Sequence, residues 1–143
     1  MAYKIPIEII ELESENYHIL ITSVFGDGTK GLWVIDTGAS KSVFDKNQDK
    51  YIEKIEGSTE DLHSAGIGEE PMKGEIALLK PFSLSKLKVE SMKVALLDLT
   101  HVNKLYVSTA GVEICGLLGG DFLMKYNAVI DYKRKRIVLR INN

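Results

Sequence analysis

The chain has 143 residues, of which 45% are apolar, and its formal net charge at pH 7 is −2. This length favours a single domain, residues 1–143, whose core is large enough to fold without disulfides or a metal. The nearly balanced charge argues against the classes of protein that bind nucleic acid or an anionic membrane through a broad charged surface.

The cellular compartment is indicated by the cysteine content and by the first residues. One cysteine, Cys115, excludes an internal disulfide and fits a reducing compartment. Residues 1–8 lack the basic stretch and the long apolar core of a signal peptide. No window reaches the apolar length that a membrane span needs. These features predict a cytoplasmic protein with no membrane partner.

The first third of the chain reads as β-structure. Ile5, Ile7 and Ile9 alternate with polar residues or proline, which predicts a strand with one buried face. Residues 17–25 predict a second strand, and a glycine-rich turn at 26–28 follows it. Residues 31–35 are almost continuously apolar, which is typical of a strand buried on both faces.

The middle of the chain gives weaker signals. Residues 45–61 are polar without firm periodicity and predict a surface loop with a short helical turn. Residues 62–79 resemble a hairpin broken by Gly66-Ile67-Gly68 and Pro71. Alternating apolar residues return over 83–97 and predict further strand structure.

The last third combines helices with strands. Thr100 is a candidate cap for a helix that extends to Ala110, with Gly111 as its stop. Residues 114–118 predict a short strand, and Asp121 is a candidate N-cap for a helix over 122–126. The remaining segments predict a final hairpin with a basic turn: 128–132, 133–135 and 136–141.

The motif that carries chemistry is Asp36-Thr37-Gly38, directly after the buried strand. Aspartate and glycine are turn formers, so a simple turn is one interpretation. A surface turn, however, rarely follows a run as apolar as residues 32–35. A second apolar step that ends in glycine, Leu117-Leu118-Gly119, precedes the candidate cap Asp121.

Together these segments resemble the aspartic protease superfamily, in its single-lobe, retropepsin-like branch. Residues 34–40 resemble the catalytic turn, and residues 115–123 resemble the strand that threads beside the catalytic loop and leads into a helix. Residues 126–132 resemble the closing hairpin, and Gly66-Ile67-Gly68 lies where the family has its mobile flap. The resemblance implies a mainly β fold: a single-lobe, retropepsin-like closed β-barrel or sandwich with one or two short helices.

The resemblance also implies roles for individual residues. Asp36 would be the catalytic carboxylate, and Thr37 would make the hydrogen bonds that join two catalytic loops across a homodimer. Gly38 would allow the backbone to approach the carboxylate closely. The substrate would be a polypeptide, bound by Ala39 and Ser40 and by the flap residues Gly66, Ile67 and Gly68.

Because the chain supplies one such turn and the reaction uses two carboxylates, the enzyme would be an aspartic endopeptidase that is active as a homodimer. Two carboxylates about 3 Å apart repel by about 5 kcal/mol at an effective dielectric near 20, so the pair would share one proton. This chemistry needs no cofactor and no metal. Three scattered histidines and one cysteine do not form a convincing zinc site.

Other residues favour structural interpretations. Cys115, within an apolar strand, is interpreted as a buried inert thiol rather than a nucleophile, and His63 as a surface residue. The basic run at 133–136 is interpreted as a solvated turn rather than a nucleic-acid patch. Two alternatives to an enzyme remain: a catalytically silent dimerisation or peptide-binding module of the same fold, and an unrelated β-domain with a chance turn.

Overall fold

The structure, a computed structural model, describes residues 1–62 and 72–142. Within those residues the chain is mainly β, with two α-helices and a short 3-10 helix at Asp49–Tyr51. The strands are β1 Ala2–Pro6, β2 Glu8–Glu13, β3 Asn16–Phe25, β4 Lys30–Ile35, β5 Val43–Asp45, β6 Ile52–Leu62, β7 Met72–Leu79, β8 Phe82–Leu84, β9 Leu87–Val89, β10 Met92–Leu97, β11 Gly116–Leu118, β12 Val129–Asp131 and β13 Arg136–Arg140. The helices are α1 Thr100–Ala110 and α2 Gly120–Lys125.

Most strands belong to one large sheet of order β6-β7-β10-β5-β11-β4-β3-β8-β9, to which β2 adds by pairing with β3. At its centre, β11 runs parallel to β4 and antiparallel to β5. The chain therefore leaves β4, crosses the end of β11 and returns as β5. This crossing places residues 36–42 at the end of a buried strand, where β11 and the start of α2 constrain them.

The hydrophobic core lies against this central part of the sheet. Trp33, Phe44 and Leu118 are completely buried. The indole nitrogen of Trp33 donates a hydrogen bond of 2.9 Å to the Ser23 hydroxyl, which itself donates to the carbonyl of Gly31. Because a buried donor without a partner costs free energy, this chain of bonds allows the indole to be fully buried. The predicted apolar strand at 31–35 is thus confirmed as β4.

A second sheet, of order β1-β13-β12, is formed by the two ends of the chain. Ile5 of β1 and Ile137 and Leu139 of β13 are buried. The expected N-terminal strand is divided, because β1 ends at Pro6 and the chain changes sheets at Ile7, whose amide donates to Lys135. The predicted final hairpin, with its basic turn, is present as β12 and β13.

The prediction of a surface loop over residues 45–61 is wrong for its second half. After the 3-10 helix at Asp49–Tyr51, the chain continues as the long strand β6, which pairs with β7. β6 is the first strand in the sheet order and has one paired neighbour among the described residues. An edge strand tolerates charged residues, so its sequence need not alternate as a buried strand does. The hairpin therefore begins at Ile52 rather than at Leu62, and the expected strand over 83–97 is divided into β8, β9 and β10.

The helix α1 has the predicted bounds but a different cap. Gly111 ends it with a left-handed φ of 69°, as expected for a glycine stop. At its start, however, the carboxylate of Asp98 accepts two hydrogen bonds from Thr100, one from the amide at 3.0 Å and one from the side-chain hydroxyl at 2.6 Å. These bonds lower the pKa of the Asp98 carboxyl to about 2. Thr100 is thus the first helical residue and Leu99 is the N-cap residue, without a side-chain cap, while Asp98 bonds to the first turn from the position before it.

At Gly116, strand β11 lies very close to its neighbours β4 and β5. A Cβ at this position would lie 2.2 Å from the carbonyl oxygen of Val43 and 2.7 Å from the Trp33 ring. Gly116→Ala should therefore lower the free energy of unfolding by about 1–3 kcal/mol, measured by chemical denaturation. Gly26→Ala is the matched control, because nothing lies within 4 Å of a Cβ there. Equal stability of the two variants would contradict the close threading.

Candidate active site

Asp36 is the first residue after β4, and its backbone is tied to the neighbouring strand. Its amide donates a 2.9 Å hydrogen bond to the carbonyl of Leu118, the last residue of β11. Its Oδ1 accepts a 3.0 Å bond from the amide of Gly38, and its carbonyl accepts a 3.2 Å bond from Ala39. Asp36 as a residue is half-buried. A carboxylate held in this way has a defined position while one side remains open.

The rest of the loop rests on the start of α2. The amide of Gly120 donates to the Ala39 carbonyl at 2.7 Å, and the amide of Asp121 donates to the Ser40 carbonyl at 3.2 Å. A Cβ on Gly119 would lie 2.6 Å from the Ala39 carbonyl oxygen. The absence of a side chain at Gly119 is therefore what allows the two backbones to approach.

Ser42 and Asp121 connect the far end of the loop to the same helix. Oδ1 of Asp121 accepts hydrogen bonds from the Ser42 amide at 2.9 Å and the Ser42 hydroxyl at 2.7 Å. The Ser42 hydroxyl in turn accepts a 3.0 Å bond from the amide of Gly119. Ser42 is completely buried, so these bonds satisfy polar groups that water does not reach.

This arrangement corrects the expected role of Asp121. The helix α2 begins at Gly120, with Gly119 as its N-cap residue, so Asp121 lies within the first turn. Its carboxylate does accept from the Phe122 amide at 2.8 Å, but it also accepts two bonds from Ser42. The acid therefore joins the loop to the helix, which a sequence cap signal does not reveal.

The structure places five predicted site residues, 36–40, in one loop, and these residues differ in their exposure to solvent. Thr37, Gly38 and Ser40 are exposed, whereas Ala39 is buried. Within the loop, Ser40 contributes its carbonyl to hold α2. The predicted flap residues Gly66-Ile67-Gly68, and His63, lie outside the described residues.

A cavity of about 460 Å³ opens beside Asp36 and Thr37. Its other walls come from β3, β4, α1, β11 and the β12 region: Tyr17, His18, Ile19, Val34, Ile35, Tyr106, Leu117, Ile130 and Tyr132. Pockets of this size are typical of sites that bind small molecules or side chains. The sequence interpretation missed His18 and Tyr106, because only the fold brings β3 and α1 next to the Asp36 loop.

His18 and Tyr106 contact each other in this wall. The Tyr106 hydroxyl and the His18 Nδ1 are 3.1 Å apart, and the two rings meet edge to face with centroids 5.7 Å apart. Burial raises the pKa of the Tyr106 phenol, and the negative charge of Asp36 raises it further. The phenol therefore stays protonated and keeps its hydrogen-bonding capacity over the neutral and acidic range.

One other candidate reactive group, the thiol of Cys115, does not line this cavity. Cys115 is buried, and desolvation raises the pKa of its thiol well above the ordinary range. This agrees with an inert thiol, because the thiolate is the reactive form.

Among the described residues, no cluster of three or more His, Cys, Asp or Glu side chains is placed to bind a metal ion. Neither helix in the described part of the chain is long and apolar enough to cross a membrane.

Comparison with known proteins agrees with this geometry. A family model described as aspartyl protease matches residues 22–122, which include β4, the Asp36 loop, β11 and the start of α2. The chain belongs to the aspartyl protease family. The alternative of an unrelated β-domain with a chance turn is therefore wrong. No curated protein matches the chain significantly.

Solved structures show the fold of this family member. A retropepsin-like aspartic protease from Rickettsia conorii is similar with a TM-score of 0.54 at 15% identity, over 97% of this chain and 90% of that one. The protein edgp is similar with a TM-score of 0.58 at 11% identity, over 99% of this chain but 46% of that one. The predicted mainly β, retropepsin-like fold is thus confirmed.

The Ser42 bonds can be tested by a pair of substitutions two residues apart. Ser42→Ala removes the acceptor of the buried Gly119 amide, so the free energy of unfolding should fall by about 1–3 kcal/mol in chemical denaturation. Ser40→Ala is the control, since the Ser40 side chain is exposed, and it should change stability by less than about 0.5 kcal/mol. A Ser42→Ala protein as stable as Ser40→Ala would show that these bonds are unimportant.

Proposed function

We propose that this aspartyl protease family member is an aspartic endopeptidase, active as a homodimer in which each chain contributes Asp36. The observation that carries the proposal is the carboxylate of a half-buried residue, fixed by its own loop and open to a cavity of about 460 Å³. One chain supplies one such loop. The similarity over 90% of the Rickettsia conorii protein supports a single-lobe unit of this size, residues 1–143.

In the proposed mechanism the two Asp36 carboxylates share one proton. The ionised member removes a proton from a water molecule, whose oxygen attacks the scissile carbonyl carbon. The protonated member donates its proton to the carbonyl oxygen, which gives a tetrahedral intermediate without a covalent bond to the enzyme. Collapse of the intermediate breaks the C–N bond: the protonated member gives its proton to the leaving amine, and one hydroxyl of the intermediate returns a proton to the ionised member, so the pair again shares one proton. Thr37 makes the hydrogen bonds that join the two loops, and the backbone of Gly38 approaches its own Asp36 carboxylate, to which its amide donates.

The exposed groups around Thr37 suggest where the second chain binds. Ile130 and Tyr132 line the same cavity as Thr37. Val129 and Tyr132 are 56% and 60% exposed, and β12 is at one end of the three-stranded sheet. β13, by contrast, lies between β1 and β12 and has partners on both sides. We therefore assign the dimer contact to Thr37 and the β12 edge.

The polypeptide substrate is proposed to lie along the cavity beside Asp36, with Ala39 and Ser40 on the loop side. The hairpin of β6 and β7 leads into residues 63–71, so the flap assignment of Gly66, Ile67 and Gly68 remains a prediction from the sequence. The cavity wall combines aliphatic side chains such as Ile19, Val34 and Leu117 with three tyrosines, so an apolar or aromatic substrate side chain could pack against it next to the scissile bond.

Asp36→Asn tests the mechanism. The amide is nearly isosteric but cannot act as a base, so kcat for a cleavable peptide should fall by at least about 100-fold, with unchanged melting temperature. Asp49→Asn, at an exposed position in the 3-10 helix, should keep full activity. A fully active Asp36→Asn protein would refute the mechanism. A wild-type protein that binds peptides without cleaving them would instead support the silent peptide-binding module.

Mixing experiments test the shared site. When Asp36→Asn chains are added to a fixed amount of wild-type protein, mixed dimers carry one carboxylate, so activity per wild-type chain should fall as the mixture equilibrates. Dilution of wild-type protein below its dimer dissociation constant should also lower specific activity. Asp49→Asn chains, added in the same amounts, are the control and should not reduce activity. Activity that is independent of both dilution and added Asp36→Asn would show that each chain works alone.

A further inference from the structure

The helix α1 contributes a single anchoring side chain to the Asp36 cavity. Among the eleven residues of α1, all within the described part of the chain, Tyr106 alone is buried, with 5% of its surface exposed. Val102, Leu105 and Val107 on the same helix are between 39% and 47% exposed. α1 therefore faces solvent for most of its circumference and reaches the cavity through Tyr106.

Tyr106 is held in one position from two directions. Its ring packs in the cluster of buried apolar side chains that includes Leu20 and Val34. Its hydroxyl is 3.1 Å from Nδ1 of His18, which also lines the cavity. A rotation of the ring would break this hydrogen bond and open a gap in the apolar cluster, so the wall has a defined shape.

Tyr106 also lies close enough to Asp36 for the two groups to interact. Both line one cavity, and the charge of Asp36 raises the pKa of the Tyr106 phenol in addition to the effect of burial. The space of about 460 Å³ has to receive a length of substrate backbone as well as side chains. Because Tyr106 forms part of the wall, the size of its ring affects how much space remains for a substrate side chain next to the scissile bond.

We propose that Tyr106, positioned by His18, is the specificity-determining residue of this cavity. Its ring closes the α1 end and limits the size of the apolar side chain that a substrate places beside Asp36. The inference rests on the proposed endopeptidase function. It gives α1, which lies within residues 80–113 where the family resemblance assigned nothing, a role in substrate selection.

The test uses peptides that differ at one residue next to the scissile bond: Ala, Leu, Phe or Trp. Each is assayed for kcat and KM with wild-type protein, Tyr106→Leu, Tyr106→Phe and Val102→Ala. Tyr106→Leu should raise the ratio of kcat/KM for Trp over Leu by about 10-fold or more, since one methylene in an apolar pocket changes discrimination by about 10–200-fold. Tyr106→Phe keeps the ring and should retain the wild-type order of preference.

Val102→Ala is the matched control, because this residue is on the same helix but outside the cavity, and it should not change the order of preference. An unchanged order in a folded, dimeric Tyr106→Leu protein would overturn the inference. If Tyr106→Leu does not fold, Tyr106→Met replaces it, because the flexible methionine fills more of the apolar cluster while still removing the ring. Tyr106→Met should then raise the same Trp-over-Leu ratio, and an unchanged ratio would overturn the inference.

The test of the role of Tyr106 can fail or succeed independently of the test of the proposed endopeptidase function. If wild-type protein cleaves none of the peptides, the endopeptidase proposal fails, and calorimetry then measures binding of the same four peptides to wild-type and Tyr106→Leu proteins. Relaxed size selection in binding would support the role of Tyr106 alone. Equal selection by both proteins, or no binding to either, would overturn it.

Discussion

The position of the Asp36 loop depends on one constraint, the threading of β11 between β4 and β5. Since β11 occupies the space between the strands that the loop connects, the loop has to cross the end of β11 at contact distance. Glycine at 116 and 119 is required by this crossing, because a Cβ at either position would meet a backbone carbonyl at less than 3 Å. The same crossing directs Asp36 away from the core and towards the cavity. The order of the strands therefore determines the position of the site, and individual side chains then refine its geometry.

Hydrogen bonds then make this crossing rigid. The loop and α2 exchange bonds from both backbone and side chain, and the buried Ser42 hydroxyl is satisfied as donor and acceptor. In a buried setting, the loss of one such bond costs more than its formation contributes, because the remaining partner stays desolvated. The network therefore penalises displacement of the loop. A reaction that relies on the position of a carboxylate benefits from this, since misplacement by about 1 Å can lower a rate by about 100-fold.

The features that the sequence predicted are those with local signals. The apolar run of β4 ending at Asp36, and the helix α1 ending at Gly111, follow from neighbouring residues. By contrast, Ser42 bonds to Asp121 across 79 residues, and His18 meets Tyr106 across 88. No local pattern marks such pairs, because each partner has an ordinary structural interpretation by itself. The strand β6 escaped prediction for a related reason, since its pairing with β7 rather than its own sequence makes it a strand.

The packing around the cavity also explains why α1 is suited to the selectivity proposed for it. The loop, β11 and α2 are bound to one another, so substitutions there disturb the position of Asp36 as well as any substrate contact. α1 instead reaches the cavity through one buried ring and is otherwise largely exposed. A change at Tyr106 can therefore alter the shape of the cavity while the crossing at β11 stays intact. In the proposed homodimer each such change would appear twice, once in each half of the site, so substrate preference on both sides of the scissile bond would shift together.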